Sequence, residues 1–182
     1  MRRYFAKMRG LGYLMWHARH DFYHILLGLV WAWFLRERWG EFNARWIWLA
    51  VLGSLLPDAD HLLYFFTYGR HDEYSRQIKE FFKNREWRIA WTLIEKGHKY
   101  QTNLASHNIY FMLILLVTGL TSSFFEWRSG VVLSGAMVLH YMFDIFDDVL
   151  TLGYINPNWK RWGRAKKEVD QLVSSEPVPT KL

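Results

Sequence analysis

Residues 46–68 read WIWLAVLGSLLPDADHLLYFFTY, and the middle of this stretch is its informative part. Two apolar runs rich in Leu, Ala, Phe and Trp flank Pro57, and such runs predict helix. Proline cannot continue the hydrogen-bond ladder, so it ends or kinks the helix before it. Asp58, Asp60 and His61 follow at once, two carboxylates and an imidazole within four residues. Buried without a ligand or partner, such groups are costly. The segment therefore reads as a broken apolar helix that turns an acidic corner back into a helical bundle.

Three other stretches share this apolar character: about 22–35, 104–127 and 130–159, each nearly free of Lys and Arg. The predicted fold class is all-α, a four-span transmembrane helical bundle with a basic amphipathic helix between spans two and three. Its competitor is a soluble helical bundle, because the first stretch is short for a crossing. The basic residues favour the membrane. With the N-terminus inside, the inner segments carry nineteen of the 23 Lys and Arg, and the outer loops carry only Arg36, Arg38, Arg45 and Arg128. That bias places both termini in the cytoplasm. The first apolar run is followed by no small-residue cleavage site, so no cleaved leader is expected. Trp31, Trp33, Trp39, Trp46 and Trp48 surround the first outer loop, where aromatic rings form an interfacial belt or an ordinary core.

The chain has 182 residues, of which 51% are hydrophobic and 19% aromatic, which excludes disorder. It has no cysteine, which excludes a disulfide scaffold and a thiolate metal site. The formal net charge of +6 calls for an anionic surface. Anionic lipid on the cytoplasmic side fits; nucleic acid fits less well, because no binding motif accompanies the charge. From Gln77 to Glu95, Ile78, Phe81, Phe82, Trp87, Ala90, Trp91 and Ile94 recur at helical spacing opposite a charged face. A helix of this kind lies on a membrane or packs on the protein. Residues 1–162 are expected to form one membrane-embedded domain and 163–182 a polar tail.

Ionisable groups inside apolar spans are functional candidates. His17, His20, Asp21 and His24 share a helical face, with Gly28 one turn further on. His107 opens the third span. His140 and Asp144 stand one turn apart in the fourth, followed by Asp147 and Asp148. In the four-span topology, these clusters and the Asp58–His61 corner all fall at the cytoplasmic end. Imidazole with carboxylate suits zinc first, then manganese or iron. The expected ligands are His20, His24, Asp58, Asp60, His61, His107, His140 and Asp144, with Asp148 as an alternative. Asp58 and Asp60 are the catalytic candidates. The bland alternative is a set of hydrogen-bonded core histidines, with His17 the first of that kind. His71 and His98 lie in the basic loop.

These motifs resemble those of the LexA-binding, inner membrane-associated hydrolases, also called membrane-bound metal-dependent hydrolases. His24 to Gly28, Leu56 to His61, His107, and His140 with Asp144 match that family's pattern over roughly residues 20–157. The resemblance implies a metal-dependent hydrolase at the cytoplasmic membrane surface. There are departures. Thr102 stands five residues before the third-span His, where the family has His-Arg, and Asn108 stands beside that His, where the family has Ser or Thr; His98-Lys99, nine residues upstream, is a candidate for a displaced equivalent. In the last motif the spacing to Thr151 and Gly153 is one turn too long, which leaves Asp148 as the alternative to Asp144. Two functional classes follow. One is a hydrolase in which bound metal activates water against a phosphoester or lipid. The other is a non-catalytic, metal-stabilised subunit that meets other membrane proteins. A di-iron or His-box oxidoreductase is a third reading. His20 and His24 suit it, but the spans lack glutamate away from their edges.

Overall fold

Long Leu-, Phe- and Trp-rich runs with few β-branched alternations fold as helices, as expected. The computed structural model describes residues 2–97 and 104–160. Its helices are α1 (Arg2–Trp39), α2 (Ala44–Leu55), α3 (Ala59–Phe66), α4 (Glu73–Lys83), α5 (Trp87–Gly97), α6 (Ile109–Phe124) and α7 (Arg128–Leu152). Short 3-10 turns occupy Leu56–Asp58 and Pro157–Lys160, and no strand occurs among the described residues. His98, Lys99, Thr102 and the tail 163–182 lie outside the described residues, as does the side chain of His17. The described residues form two units, one of 2–59 with 109–155, the other of 60–97 and 104–108 with 156–160.

In the first unit, α7 packs against α1, α2 and α6, and α1 packs against α2. Small residues permit this closeness. A Cβ on Gly28 would stand 2.8 Å from the Ala50 carbonyl oxygen and 2.9 Å from Ser54 Oγ. One on Gly53 would stand 2.8 Å from the Leu133 carbonyl oxygen. Backbones approach this nearly only where a side chain is missing. The inner stripe of α1 is His24, Gly28, Ala32 and Leu35. Ala32 and Leu35 meet Trp46, Ala50, Val132 and Ala136 in the core. Trp31 Nε1 donates to the Val132 carbonyl at 3.1 Å and ties α1 to α7. At the α1–α2 turn, Gly40 adopts φ 66° and Asn43 caps α2 through the Arg45 N–H at 2.9 Å. Arg128 pairs with Glu41 and lies over the rings of Trp39 and Trp46, joining the two helix corners at that end.

This unit buries polar groups beside its apolar core and exposes large apolar side chains. His24, Ser54 and His140 are fully buried. Phe22, Leu26 and Trp33 on α1, Leu113 and Leu120 on α6, and Phe146 and Leu150 on α7 face outward. Large apolar side chains exposed on three helices, with histidines buried behind them, suit a bundle solvated by lipid. Two helical stretches among the described residues are long and apolar enough to cross a membrane: 44–66 and 128–150, each of 23 residues. At 1.5 Å per residue each spans about 34 Å, against a hydrocarbon core of about 30 Å. The apolar α6 has only 16 residues. The expected second span is present as α2, a 3-10 turn at Pro57 and α3, so the proline modifies the helix without ending the span.

The second unit corrects the reading of 77–95. One continuous helix was expected; the structure has two, α4 and α5, packed together. Tyr74 Oη, near the start of α4, donates to the Leu93 carbonyl at 3.3 Å, near the end of α5, so the pair is antiparallel. The break is a helix C-cap. The Glu86 N–H reaches the Phe81 carbonyl at 2.8 Å and the Arg85 N–H reaches that of Phe82 at 3.1 Å. Arg85 takes φ 61°, in the position that glycine usually fills. With arginine there, no glycine announces the turn, and the apolar period runs through it.

Candidate metal centre

The first unit gathers five of the expected donors from three elements. His20 and His24 stand one turn apart on α1, and His140 and Asp144 one turn apart on α7. Asp58 comes from the 3-10 turn after α2, where Pro57 occupies the first turn and sets its start. Asp144 is the hub. One carboxylate oxygen lies 3.3 Å from His24 Nε2 and 3.6 Å from His20 Nε2, and the other lies 3.0 Å from His140 Nε2. The two histidines of α1 bring their Nε2 atoms to 3.0 Å. Asp58 Oδ1 lies 3.7 Å from His140 Nε2. Two triads, His20–His24–Asp144 and His24–Asp58–His140, each hold their ligand atoms within 4.8 Å of one another.

The chemistry of this set turns on His140. Its Nδ1 lies 2.6 Å from the Ser54 carbonyl oxygen, which can only accept, so Nδ1 carries the proton. In the neutral ring Nε2 then presents a lone pair, and that lone pair faces the carboxylates of Asp144 and Asp58. Acceptors that converge in this way repel unless a cation sits among them. A proton on imidazole or a metal ion supplies it. The His24 and His140 rings stack with centroids 3.7 Å apart and planes 21° apart. A histidine that donates one ring nitrogen to a backbone carbonyl and offers the other is arranged as metal ligands are. Donors sharing one tetrahedral ion, at bonds of about 2.0–2.1 Å, stand roughly 3.3 Å apart. The distances here bracket that value. These His and Asp groups fit a divalent metal ion.

The second unit holds three more of the expected ligands. Asp60 is buried and its oxygens are engaged: Oδ1 accepts from Tyr68 Oη, and Oδ2 accepts from the Ser106 N–H at 2.7 Å and Ser106 Oγ at 2.8 Å. His107 Nδ1 lies 3.4 Å from the same Oδ2. Asn158 Nδ2 donates to the His107 carbonyl at 2.5 Å, and the His61 ring lies 5.1 Å from that of His107. Asp60 thus clasps the 104–108 segment. Burial, and then donation to Asp60, push the Tyr68 phenol well above its ordinary range. His107 stands in this segment, before α6 begins, and His61 lies on α3.

Asp148 is buried on α7, one turn beyond Asp144, and stands outside the donor groups found among the described residues. Asp21 is exposed. Sequence reasoning missed the Ser54 carbonyl, Tyr68 and Ser106. A backbone acceptor leaves no trace in sequence, and Asp60 and Ser106 are separated by 46 positions. A family model described as YdjM inner membrane protein matches residues 21–165. No curated protein and no solved structure matches the chain.

Proposed function

The chain belongs to the YdjM inner membrane protein family, and on that premise we propose that it is a multi-pass, metal-dependent hydrolase of the inner membrane. One observation carries the proposal: three imidazoles and two carboxylates converge in the first unit, with His140 held by the Ser54 carbonyl so that its Nε2 is offered to the cluster. His20, His24, His140, Asp144 and Asp58 would hold the ion, zinc in the first instance. Bound there, a divalent metal supplies Lewis acidity to a water and to a phosphoryl or acyl oxygen. Asp144 orients the three imidazoles. Asp58 has a third of its side chain exposed, the most of the five, so it is the carboxylate placed to take a proton from incoming water. Asp60, committed to Tyr68 and Ser106, is a positioning residue for the 104–108 segment.

The topology proposed is four crossings, by α1, α2–α3, α6 and α7, with both termini cytoplasmic. The concentration of nineteen basic residues in the inner segments supports it. The substrate class proposed is a phosphoester, a lipid one included. The test is metal content by mass spectrometry beside turnover of phosphodiester and ester substrates, before and after metal depletion. Stoichiometric metal, with turnover that returns on reloading and is lost in Asp58→Asn, is the expected result. Turnover that is indifferent to metal would overturn the proposal.

A second reading rests on the placement of Asp144, which joins histidines from α1 and α7 and so clips two helices together. In that reading the centre is structural, and the chain serves as a subunit beside other membrane proteins. Bound metal without turnover, together with co-purification at fixed stoichiometry, would favour it.

A further inference from the structure

The α4–α5 pair carries its own signature, independent of the metal centre. Its inner side is ordinary: Ser75, Ile78 and Ala90 are buried. Its outer side is not. Trp87, Ile89 and Trp91 are each about half exposed, at 55%, 42% and 46%. Phe82 packs against both tryptophans, at 5.4 and 5.5 Å between centroids, so they form one aromatic ridge. Arg76, Lys79, Lys83, Arg85 and Arg88 are exposed on the same pair of helices. Over 73–91 these five cations meet three carboxylates, those of Glu73, Glu80 and Glu86. Water gives no reason to expose two tryptophans one turn apart on the same helix face. A bilayer interface does, because indole rings settle at headgroup depth and nearby cations meet lipid phosphates. The left-handed Arg85 adds a cation at the tip of the pair, where the chain reverses.

We propose that the α4–α5 pair lies in the headgroup layer of an anionic bilayer, with Trp87 and Trp91 inserted and Lys79, Lys83 and Arg85 facing lipid phosphates. The occupant of this surface is anionic phospholipid, chosen by charge complementarity. The inference rests on membrane residence and not on catalysis, so the two can fail separately.

The chain has no cysteine, so a single introduced one can be labelled in the full-length protein. Trp87→Cys and, as a water-facing control, Glu80→Cys would each carry an environment-sensitive dye, Trp91 keeping the ridge. The proteins are reconstituted in vesicles containing phosphatidylglycerol or in pure phosphatidylcholine, with brominated acyl chains as quencher. The expected result is quenching at 87 at least about twofold above that at 80 in the anionic vesicles. It should fall toward the phosphatidylcholine level in Lys83→Gln/Arg85→Gln and in high salt, which screens surface charge. Both substitutions are at exposed positions, and an unchanged circular dichroism spectrum verifies the fold. Equal, weak quenching at 87 and 80 overturns the proposal. So does a dye at 87 that stays shielded in lipid-free detergent and cross-links between copies, because the ridge is then a protein interface.

Discussion

Replacing Asp144 by Asn keeps the shape of the side chain and removes its charge, which makes it the sharpest probe of the centre. The carboxylate stands 3.0–3.6 Å from three imidazole nitrogens. An ion held by those nitrogens lies within about 4 Å of the carboxylate charge. At an effective dielectric near 20, unit charges at that distance attract by about 4 kcal/mol. Each 1.4 kcal/mol is a factor of ten in affinity, so Asp144→Asn should weaken metal binding by roughly 10³-fold. Competition against a chelator of known affinity measures this directly. Thermal unfolding gives an independent reading. A metal present at 100 times its Kd stabilises the folded chain by about 2.7 kcal/mol. For a chain of this length that is roughly 5–10 °C in Tm, which chelation should remove from the wild type and leave unchanged in the variant. If the wild type holds no stoichiometric metal and its Tm ignores chelators, a proton occupies the cluster and the reasoning is wrong. Retention of affinity within tenfold in Asp144→Asn would refute the hub role alone.

Other perturbations test the parts around the centre. Gly28→Val places its Cβ within 3 Å of the Ala50 carbonyl and Ser54 Oγ, so α1 and α2 must part. The expected loss is about 1–3 kcal/mol, read from thermal unfolding in detergent, with metal affinity falling too because His24 lies one turn away. Tyr68→Phe removes a hydrogen bond to the buried Asp60 carboxylate and should cost about 1.5–3 kcal/mol. Its local mark is faster amide exchange in the 104–108 segment; unchanged exchange there would show that Asp60 does not clasp it. Arg85→Gly relieves a left-handed arginine and should stabilise the α4–α5 pair by up to about 1 kcal/mol. A lower Tm in that variant would mean that the arginine side chain contributes more than its backbone costs.

The parts of the fold legible in the sequence were those carried by local pattern. Apolar runs gave the helices, and the one-turn spacings of His20 with His24 and of His140 with Asp144 gave donors that share a face. Pro57 marked the corner that delivers Asp58. What stayed hidden is what depends on distant backbone. Nothing local shows that the Ser54 carbonyl sets the proton on His140, 86 positions later. The break between α4 and α5 was invisible for a related reason, since its cap is made of backbone hydrogen bonds around an arginine.

Asp58 and Asp60 show how far composition can carry a site and where it stops. They are two residues apart, of the same type, and both precede His61 at an apolar helix end, so pattern alone gave them one role. Their surroundings differ. Asp60 is surrounded by donors, Tyr68 Oη, the Ser106 N–H and Ser106 Oγ, which satisfy a carboxylate without any ion. Asp58 faces the Nε2 of a histidine whose other nitrogen already donates elsewhere, and keeps partial access to solvent. A carboxylate met by donors organises chain; a carboxylate met by lone pairs needs a cation. That difference supports the proposed split, structure for Asp60 and chemistry for Asp58, and it predicts that Asp60→Asn disturbs the 104–108 segment while Asp58→Asn disturbs the metal.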